Sequence, residues 1–377
     1  MTTTTHAHIR EEGRAFAGAA RAASYVEAHD APAVAVAAPS APPAAPAIEP
    51  EPEAVIDAGP PVEIEQDDVD LGALSVAAPT RIARKGLRAL LAKVGVKVGP
   101  GAAETAEIET AEQLARFEET IRQATWTRAV SVLVANPKGG VGKTPASLML
   151  GGTLAAIRGG SVAIIEVSDD PGALTFRSEG SPSRGLGELV ADADQIRSAG
   201  QLAGYTAPQS SFAAVIGSVG WRPRLDDTAV TSVVRVVDDY FAVRVMDSGN
   251  QPSSPAFGAA VMSADILVVP IFDAGDAALE AAQLLEGLKA AGGHAADLAA
   301  NAIVLRLHDG RPEHPQVVAR VDRILTSHGI THQHSIPFDA HIAERGQLTL
   351  AKLAPATRHA LTGAAADVVR TLQNTAR

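Results

Sequence analysis

The 377-residue sequence contains no cysteine, which excludes disulfide scaffolds, cysteine-ligated zinc or iron–sulfur centres and thiol nucleophiles. Aromatic residues make up only 3% of the chain, so small and aliphatic side chains carry most of its 46% apolar content. No run of about 18 uninterrupted apolar residues occurs, and no membrane span is expected. The longest candidate, residues 264–272, is broken by Asp265 and reads as a buried strand. The opening MTTTTHAHIREE lacks the basic–apolar–cleavage order of a secretory leader, so the expected compartment is the cytoplasm. Positive charge is also in short supply. A formal net charge of −11 argues against a wholly basic nucleic-acid coat.

That charge is unevenly placed. Residues 1–80 hold 13 acidic and 3 basic residues, which accounts for nearly all of the excess. Nine of the chain's 24 prolines fall in residues 31–63, interleaved with Ala and Glu. Such a stretch lacks backbone donors and has little to bury, so residues 1–80 are expected to form an extended, disordered acidic tether, with a partner-docking arm as the alternative. Within it, residues 8–28 read as a short Ala-rich helix. From Arg81 to Lys97 the chain has six basic residues and no acid, with Leu87, Leu90, Leu91 and Val94 at helical spacing. This segment could pair with the acidic tail, or touch acidic lipid, DNA or a protein partner. Residues 104–128 read as a further helix, so 81–128 form a helical linker.

From residue 129 to 377 short apolar strands alternate with Ala/Leu-rich helical stretches. Strands are expected at 129–135, 161–166, 213–216, 241–247, 266–271, 302–307 and 332–336. Helices are expected at 143–158, 186–199, 228–237, 255–263, 277–291, 315–328 and 355–374. This alternation predicts an α/β domain with a doubly wound, mostly parallel sheet.

The most informative stretch is SVLVANPKGGVGKTPASLML, residues 131–150. A β-branched strand runs into Pro137, Lys138, Gly139, Gly140, Val141, Gly142, Lys143 and Thr144, and a helix follows. Glycine-rich backbone can curl its N–H groups round phosphate oxygens, and the helix N-terminus adds its positive dipole end. Lys143 suits the β/γ-phosphates and the Thr144 hydroxyl suits Mg²⁺.

With Lys138 five residues before Lys143, KGGVGKT resembles the deviant Walker A motif of the ParA/MinD family of P-loop (SIMIBI-type) ATPases. The resemblance extends from residue 129 to the C-terminus. It implies ATP and Mg²⁺ as cofactors, ATP-dependent homodimerisation, and a Lys138 that reaches across the dimer to the partner's nucleotide. It further implies slow ATP hydrolysis in the partitioning or positioning of chromosomal DNA or another large cargo. The absence of cysteine argues against the related nitrogenase iron proteins, whose cluster needs thiolates.

The sequence departs from the family pattern at four positions. Pro137 replaces the first glycine of the usual loop. Pro145 follows Lys-Thr, where it offers the α-phosphate neither N–H nor hydroxyl. In SVAIIEVSDDPG, Glu166 stands at the first acid of the family's Asp-x-Asp and Ser168 at the second, which orients the attacking water. Either Asp169 or Asp170 takes over that role, or the group is missing and this is a polar turn. Hydrolysis is expected to be slow in either case, since phosphoryl transfer depends on positioning. Asp247, ending the strand FAVRVMD, looks like the Walker B aspartate that holds Mg²⁺ opposite Thr144, and residues 248–250 occupy the place of switch II. Pro337, Phe338 and Asp339 match the loop that flanks the base, or are an ordinary strand-to-helix connection. His328, His332 and His334 lack a carboxylate triad and are expected to face solvent. Leu361, Val368, Val369 and Leu372 give the last helix an apolar face for packing on the domain, unlike a basic membrane-targeting helix.

The Pro/Ala-rich N-terminus, the basic helix leading to VGVKVGP, the stretch LTFRSEG…IRSAGQLAGYT and LAPATRHAL resemble actinobacterial MinD-like ATPases, some associated with type VII secretion. Two readings follow. One is a nucleotide-switched dimeric ATPase. The other is a regulatory or scaffold protein that binds nucleotide, turns it over little, and acts in secretion. Residues 131–377 carry 20 basic and 24 acidic residues, so DNA contact falls to the segment from Arg81 to Lys97 alone.

Overall fold

The structure, a computed structural model, describes residues 101–375. The acidic tail, the 8–28 helix and the basic segment expected at 81–97 lie outside those residues. In chain order the elements are α1 (Ala102–Gln123), β1 (Val130–Val134), α2 (Lys143–Arg158), β2 (Val162–Val167), α3 (Leu174–Arg177), α4 (Leu186–Asp192) and α5 (Ala199–Ala203). Then come β3 (Ala207–Pro208), β4 (Ala214–Ile216), α6 (Asp227–Asp238), β5 (Val243–Ser248), α7 (Pro255–Met262), β6 (Ile266–Phe272), α8 (Gly275–Ala291) and α9 (Gly293–Ala300). The last are β7 (Ile303–Leu307), α10 (Pro315–Ser327), β8 (His332–Ile336), α11 (Ala340–Ala343) and α12 (Pro355–Thr375).

The eight strands form one sheet in the order β3-β4-β2-β5-β1-β6-β7-β8. Every pairing is parallel except β3–β4. Parallel strands are covered on both faces, and the inner strands read as continuous apolar runs: β1 is VSVLV, all buried. Period-two alternation divides these side chains between two cores. Leu133, Ala163, Ile165 and Met246 pack with residues of α4, α6, α7, α8, α9 and α10. Val130, Val132, Val134, Ile164 and Val245 pack with α1, α2 and α12 on the opposite face. Leu361, Val368, Val369 and Leu372 of α12 are all fully buried there, as the sequence pattern predicts. Among the described residues no helix is long and apolar enough to cross a membrane.

All seven expected strands are present. The differences fall where local chemistry overrides periodicity. The helix expected over 104–128 ends at Gln123, because Ala124 turns to extended backbone. The helix expected over 186–199 stops at Asp192; after a 3₁₀ turn, Ser198 accepts from Gln201 N and starts α5 anew. Strand β3 is two residues long and includes a proline, tolerable because it is an edge. Helix α9 opens at two glycines with positive φ, Gly292 before it and Gly293 as its first residue, which in sequence resemble the end of a helix and not a restart.

Helix α2 positions the loop that follows β1, and its seat on the sheet is tight. A Cβ on Gly151 would lie 2.6 Å from Ile164 Cγ1 and 2.7 Å from its Cδ1, with Ile164 fully buried on β2. Gly151→Ala gains about 1 kcal/mol of helix propensity but overpacks the interface at a cost of about 1–3 kcal/mol. The expected outcome is net destabilisation in chemical denaturation; a stabilised variant would contradict this packing.

Candidate nucleotide-binding site

In open α/β sheets ligands bind outside the carboxyl ends of the strands, and the candidate residues of this chain gather there. The loop after β1 holds Pro137 to Gly142, β2 ends by Glu166, β5 by Asp247, and β8 is followed by Pro337. Strand register sets Glu166 and Asp247 side by side on adjacent strands.

The loop between β1 and α2 is shaped by its glycines. Gly142, the residue before α2, has φ +88°, and a Cβ there would lie 2.4 Å from Leu307 Cδ1 at the end of β7. No other residue satisfies both demands. Gly139 and Gly140 are exposed, whereas Val141 is buried and anchors the loop to the core. Asn136 Oδ1 accepts from Lys138 N at 2.9 Å, and its Nδ2 donates to Pro270 O at 2.9 Å, tying the loop to β6.

Lys143 is buried, and its ammonium donates to Asn136 O (2.8 Å), Lys138 O (3.1 Å) and Asn250 Oδ1. Burial lowers its pKa to about 8. Thr144 Oγ1 donates to Asp247 Oδ2 at 2.7 Å, and the Ser147 hydroxyl lies 3.2 Å from Oδ1. Burial pushes the Asp247 carboxyl up to about 7, against the Thr144 hydrogen bond, and the nearby Glu166 adds to the rise. A buried carboxylate beside a threonine hydroxyl, with its charge uncompensated, is an oxygen donor set suited to a hard divalent cation. A loop of exposed glycine amides around a buried ammonium suits a phosphate chain. The residues present therefore fit a magnesium nucleotide.

Lys138 points elsewhere. Its Nζ lies 2.9 Å from Asp276 Oδ2 in the first turn of α8, with both side chains exposed. That contact holds Asp276 below the usual carboxylate range.

Glu166 is buried and enclosed by protein partners. Oε1 accepts from Arg222 Nη2 (2.8 Å), from Ser218 Oγ and from Gly172 N (3.0 Å), while buried Oε2 has no partner. Ser168 Oγ donates to Asp170 O at 2.7 Å. The two alternative acids diverge. Asp170 faces outward in an ion pair with Arg224 (2.9 Å), whereas Asp169 is buried with Oδ1 against Gly249, two residues beyond Asp247.

Pro337 and Phe338 line an open cavity of about 450 Å³ with His308, Glu313 and Ser335. Asp339 does not join them. Its carboxylate turns inward, capping His341 N (3.0 Å) and Ala354 N (2.8 Å), so backbone amides consume the acid expected beside the base. His332 is exposed, as expected, whereas His334 is half-buried; both lie 3.0 Å from Asp367 Oδ2. Burial pushes the Asp367 carboxyl up, but the bonds from His334 and His332 outweigh it and hold it at about 2. His328 is likewise taken up by Glu286. A metal-sized grouping exists at Asp273, His308 and Glu313, but Asp273 is already paired with Arg306.

Neither Arg222 nor Asp276 was named among the candidate residues, since neither stands in the glycine loop or at a strand-end acid. Asn136 stands next to the glycine loop and was within reach of the motif.

Pro145 occupies the third position of α2, where a missing N–H breaks no helical bond. The first turn therefore presents one amide fewer to an anion. Pro145→Thr restores an amide and a hydroxyl and is expected to tighten ATP binding by about tenfold, the worth of one charged hydrogen bond. Equilibrium titration with ATP checks this, and an unchanged dissociation constant would contradict it.

The chain is similar in fold to a ParA family ATPase from Chlorobium tepidum TLS, with 16% identity, coverage of 63% of this chain and 98% of that one, and a TM-score of 0.52. The cell division ATPase MinD of Pyrococcus furiosus gives 17% identity, 64% and 99% coverage and a TM-score of 0.44. Cobyrinic acid a,c-diamide synthase from Mycobacterium smegmatis, with bound ADP and magnesium, gives 16%, 66% and 97%, and 0.42. No curated protein matches by sequence. At such identities the likeness to these structures is one of fold. The model of the CobQ/CobB/MinD/ParA nucleotide binding domain matches residues 132–349, more than half of the chain, and the chain belongs to that family.

Proposed function

We propose that this chain is a nucleotide-switched ATPase of the ParA/MinD type. The observation that carries the reading is the arrangement of Lys143, Thr144 and Asp247 at one carboxyl edge, where a glycine-rich loop holds a buried ammonium and Thr144, next in the chain, bonds a buried carboxylate. Lys143 would meet the β/γ-phosphates, leaving its carbonyl partners as the nucleotide enters. Thr144 Oγ1 and Asp247 would hold Mg²⁺, which when bound neutralises phosphate charge. Pro337 and Phe338 would flank the base.

Two copies of the chain would associate through bound ATP, with Lys138 exchanging its exposed Asp276 partner for the other copy's nucleotide. Slow hydrolysis would then release the dimer. Its work would be positioning or partitioning of DNA or another large cargo, with the segment from Arg81 to Lys97 or the Pro-rich tail as partner contact.

One observation favours the second reading, a nucleotide-binding regulator or scaffold with little turnover, for which type VII secretion is the suggested setting. Glu166 is enclosed by Arg222, and Ser168 bonds its own loop, so neither is free to orient water. Asp169 is then the remaining acid near Asp247, and turnover rests on it.

The two readings separate in one experiment. Molecular mass in solution and phosphate release are measured with Mg²⁺ and ATP for wild type, Lys138→Ala and Lys143→Ala. The switch predicts an ATP-dependent wild-type dimer, a Lys143→Ala chain that neither binds nor dimerises, and a Lys138→Ala chain that binds but fails to hydrolyse. A wild type that stays monomeric with ATP would sink it, whereas a dimer without phosphate release would select the scaffold.

A further inference from the structure

The segment joining β4 to α6, residues 217–226, folds over the loop that follows β2. Its Arg222 is 4% exposed, a depth at which a guanidinium must find partners for its donors. Three of them are carbonyls of that loop, and a fourth is the Glu166 carboxylate at the end of β2. Nη2 donates to Glu166 Oε1 (2.8 Å), Ser168 O (2.8 Å) and Asp170 O (3.1 Å), and Nη1 donates to Asp169 O (2.8 Å) and Pro223 O (3.0 Å). Nε donates to Ser218 Oγ at 2.7 Å. Leu225 N adds a bond to Asp169 O at 3.0 Å, and Arg224 grips the Asp170 carboxylate from outside at 2.9 and 3.1 Å.

Three consecutive carbonyls and a carboxylate thus converge on one side chain. A planar fork with five donors can meet them together, whereas an ammonium offers three donors from one point. The consequence for the site is directional. With its carbonyl held by Arg222 and Leu225, Asp169 keeps its carboxylate against Gly249, while Asp170 is drawn outward.

We infer that Arg222 is the positioning residue of the loop after β2, fixing 168–170 so that Asp169 faces the nucleotide's terminal phosphate. This rests on reading the site as one that hydrolyses ATP, a reaction in which placement of the attacking water matters more than covalent chemistry by the protein. Arg222 touches neither nucleotide nor metal and acts through the backbone it holds.

Arg222→Lys in the full chain tests it, keeping the charge and removing the fork. The dissociation constant for MgATP stays within about twofold of wild type, because the variant leaves the glycine loop, Lys143 and Thr144 untouched, while kcat falls about tenfold. Amide hydrogen exchange over residues 167–172 speeds up about tenfold, with exchange in the 137–146 loop unchanged. Unchanged exchange over 167–172 in the folded variant overturns the inference, and so does unchanged kcat beside faster exchange. If wild type itself shows no turnover, the ATPase reading fails, and the exchange measurement alone decides whether Arg222 fixes the loop. Should Arg222→Lys not fold, Glu166→Gln with Arg222→Met leaves no unpaired charge, and exchange over 167–172 is read on that double variant: unchanged exchange overturns the inference.

Discussion

The carboxyl edge of this sheet depends on how its buried charges are accommodated. Lys143, Glu166, Arg222 and Asp247 are each less than a tenth exposed. An isolated charge at such depth is costly, and removing one member of a buried pair costs about 3–5 kcal/mol. Glu166 and Arg222 satisfy one another directly. Lys143 and Asp247 do not pair; the lysine is met by carbonyls and the carboxylate by hydroxyls. Burial therefore drives both toward neutrality, the lysine to about 8 and the aspartate to about 7.

That arrangement is a product of the sheet. Register on β2 and β5 puts two acids on neighbouring strands, and the strand β1 between β5 and β6 delivers the glycine loop beside them. Gly142 then has to turn the chain into α2 under the end of β7, where Leu307 leaves no room for a side chain. The tight contact of Gly151 with Ile164 fixes the helix that carries Lys143 and Thr144. Packing far from the chemistry thus sets its geometry.

The strands and the glycine loop were legible in the sequence because each is a local pattern: an apolar run, a cluster of glycines, an acid at a strand end. The short elements α3, β3 and α11 were not, since a few residues carry no period to read. The site was legible to a similar depth. Thr144 bonds Asp247, and Lys143 is buried in the glycine loop, but the fate of the acids after β2 was decided by residues 54 positions away in sequence. Asp169 and Asp170 are indistinguishable in a sequence and face opposite ways in the fold. Asp339 could be read in sequence as a neighbour of the base or as part of an ordinary connection; its role as a cap depends on Ala354, fifteen residues on, which returns an amide to it.

The central claim is that Asp247 and Thr144 form the metal end of a nucleotide site. The most direct measurement is equilibrium binding of a fluorescent ATP analogue, with Mg²⁺ and with chelator, to wild type and Asp247→Asn. The account predicts that Mg²⁺ tightens binding to wild type by about tenfold or more, of the order of one good charged contact. It predicts that Asp247→Asn keeps the metal-free affinity and loses the gain. An equal response to Mg²⁺ in both proteins would contradict it.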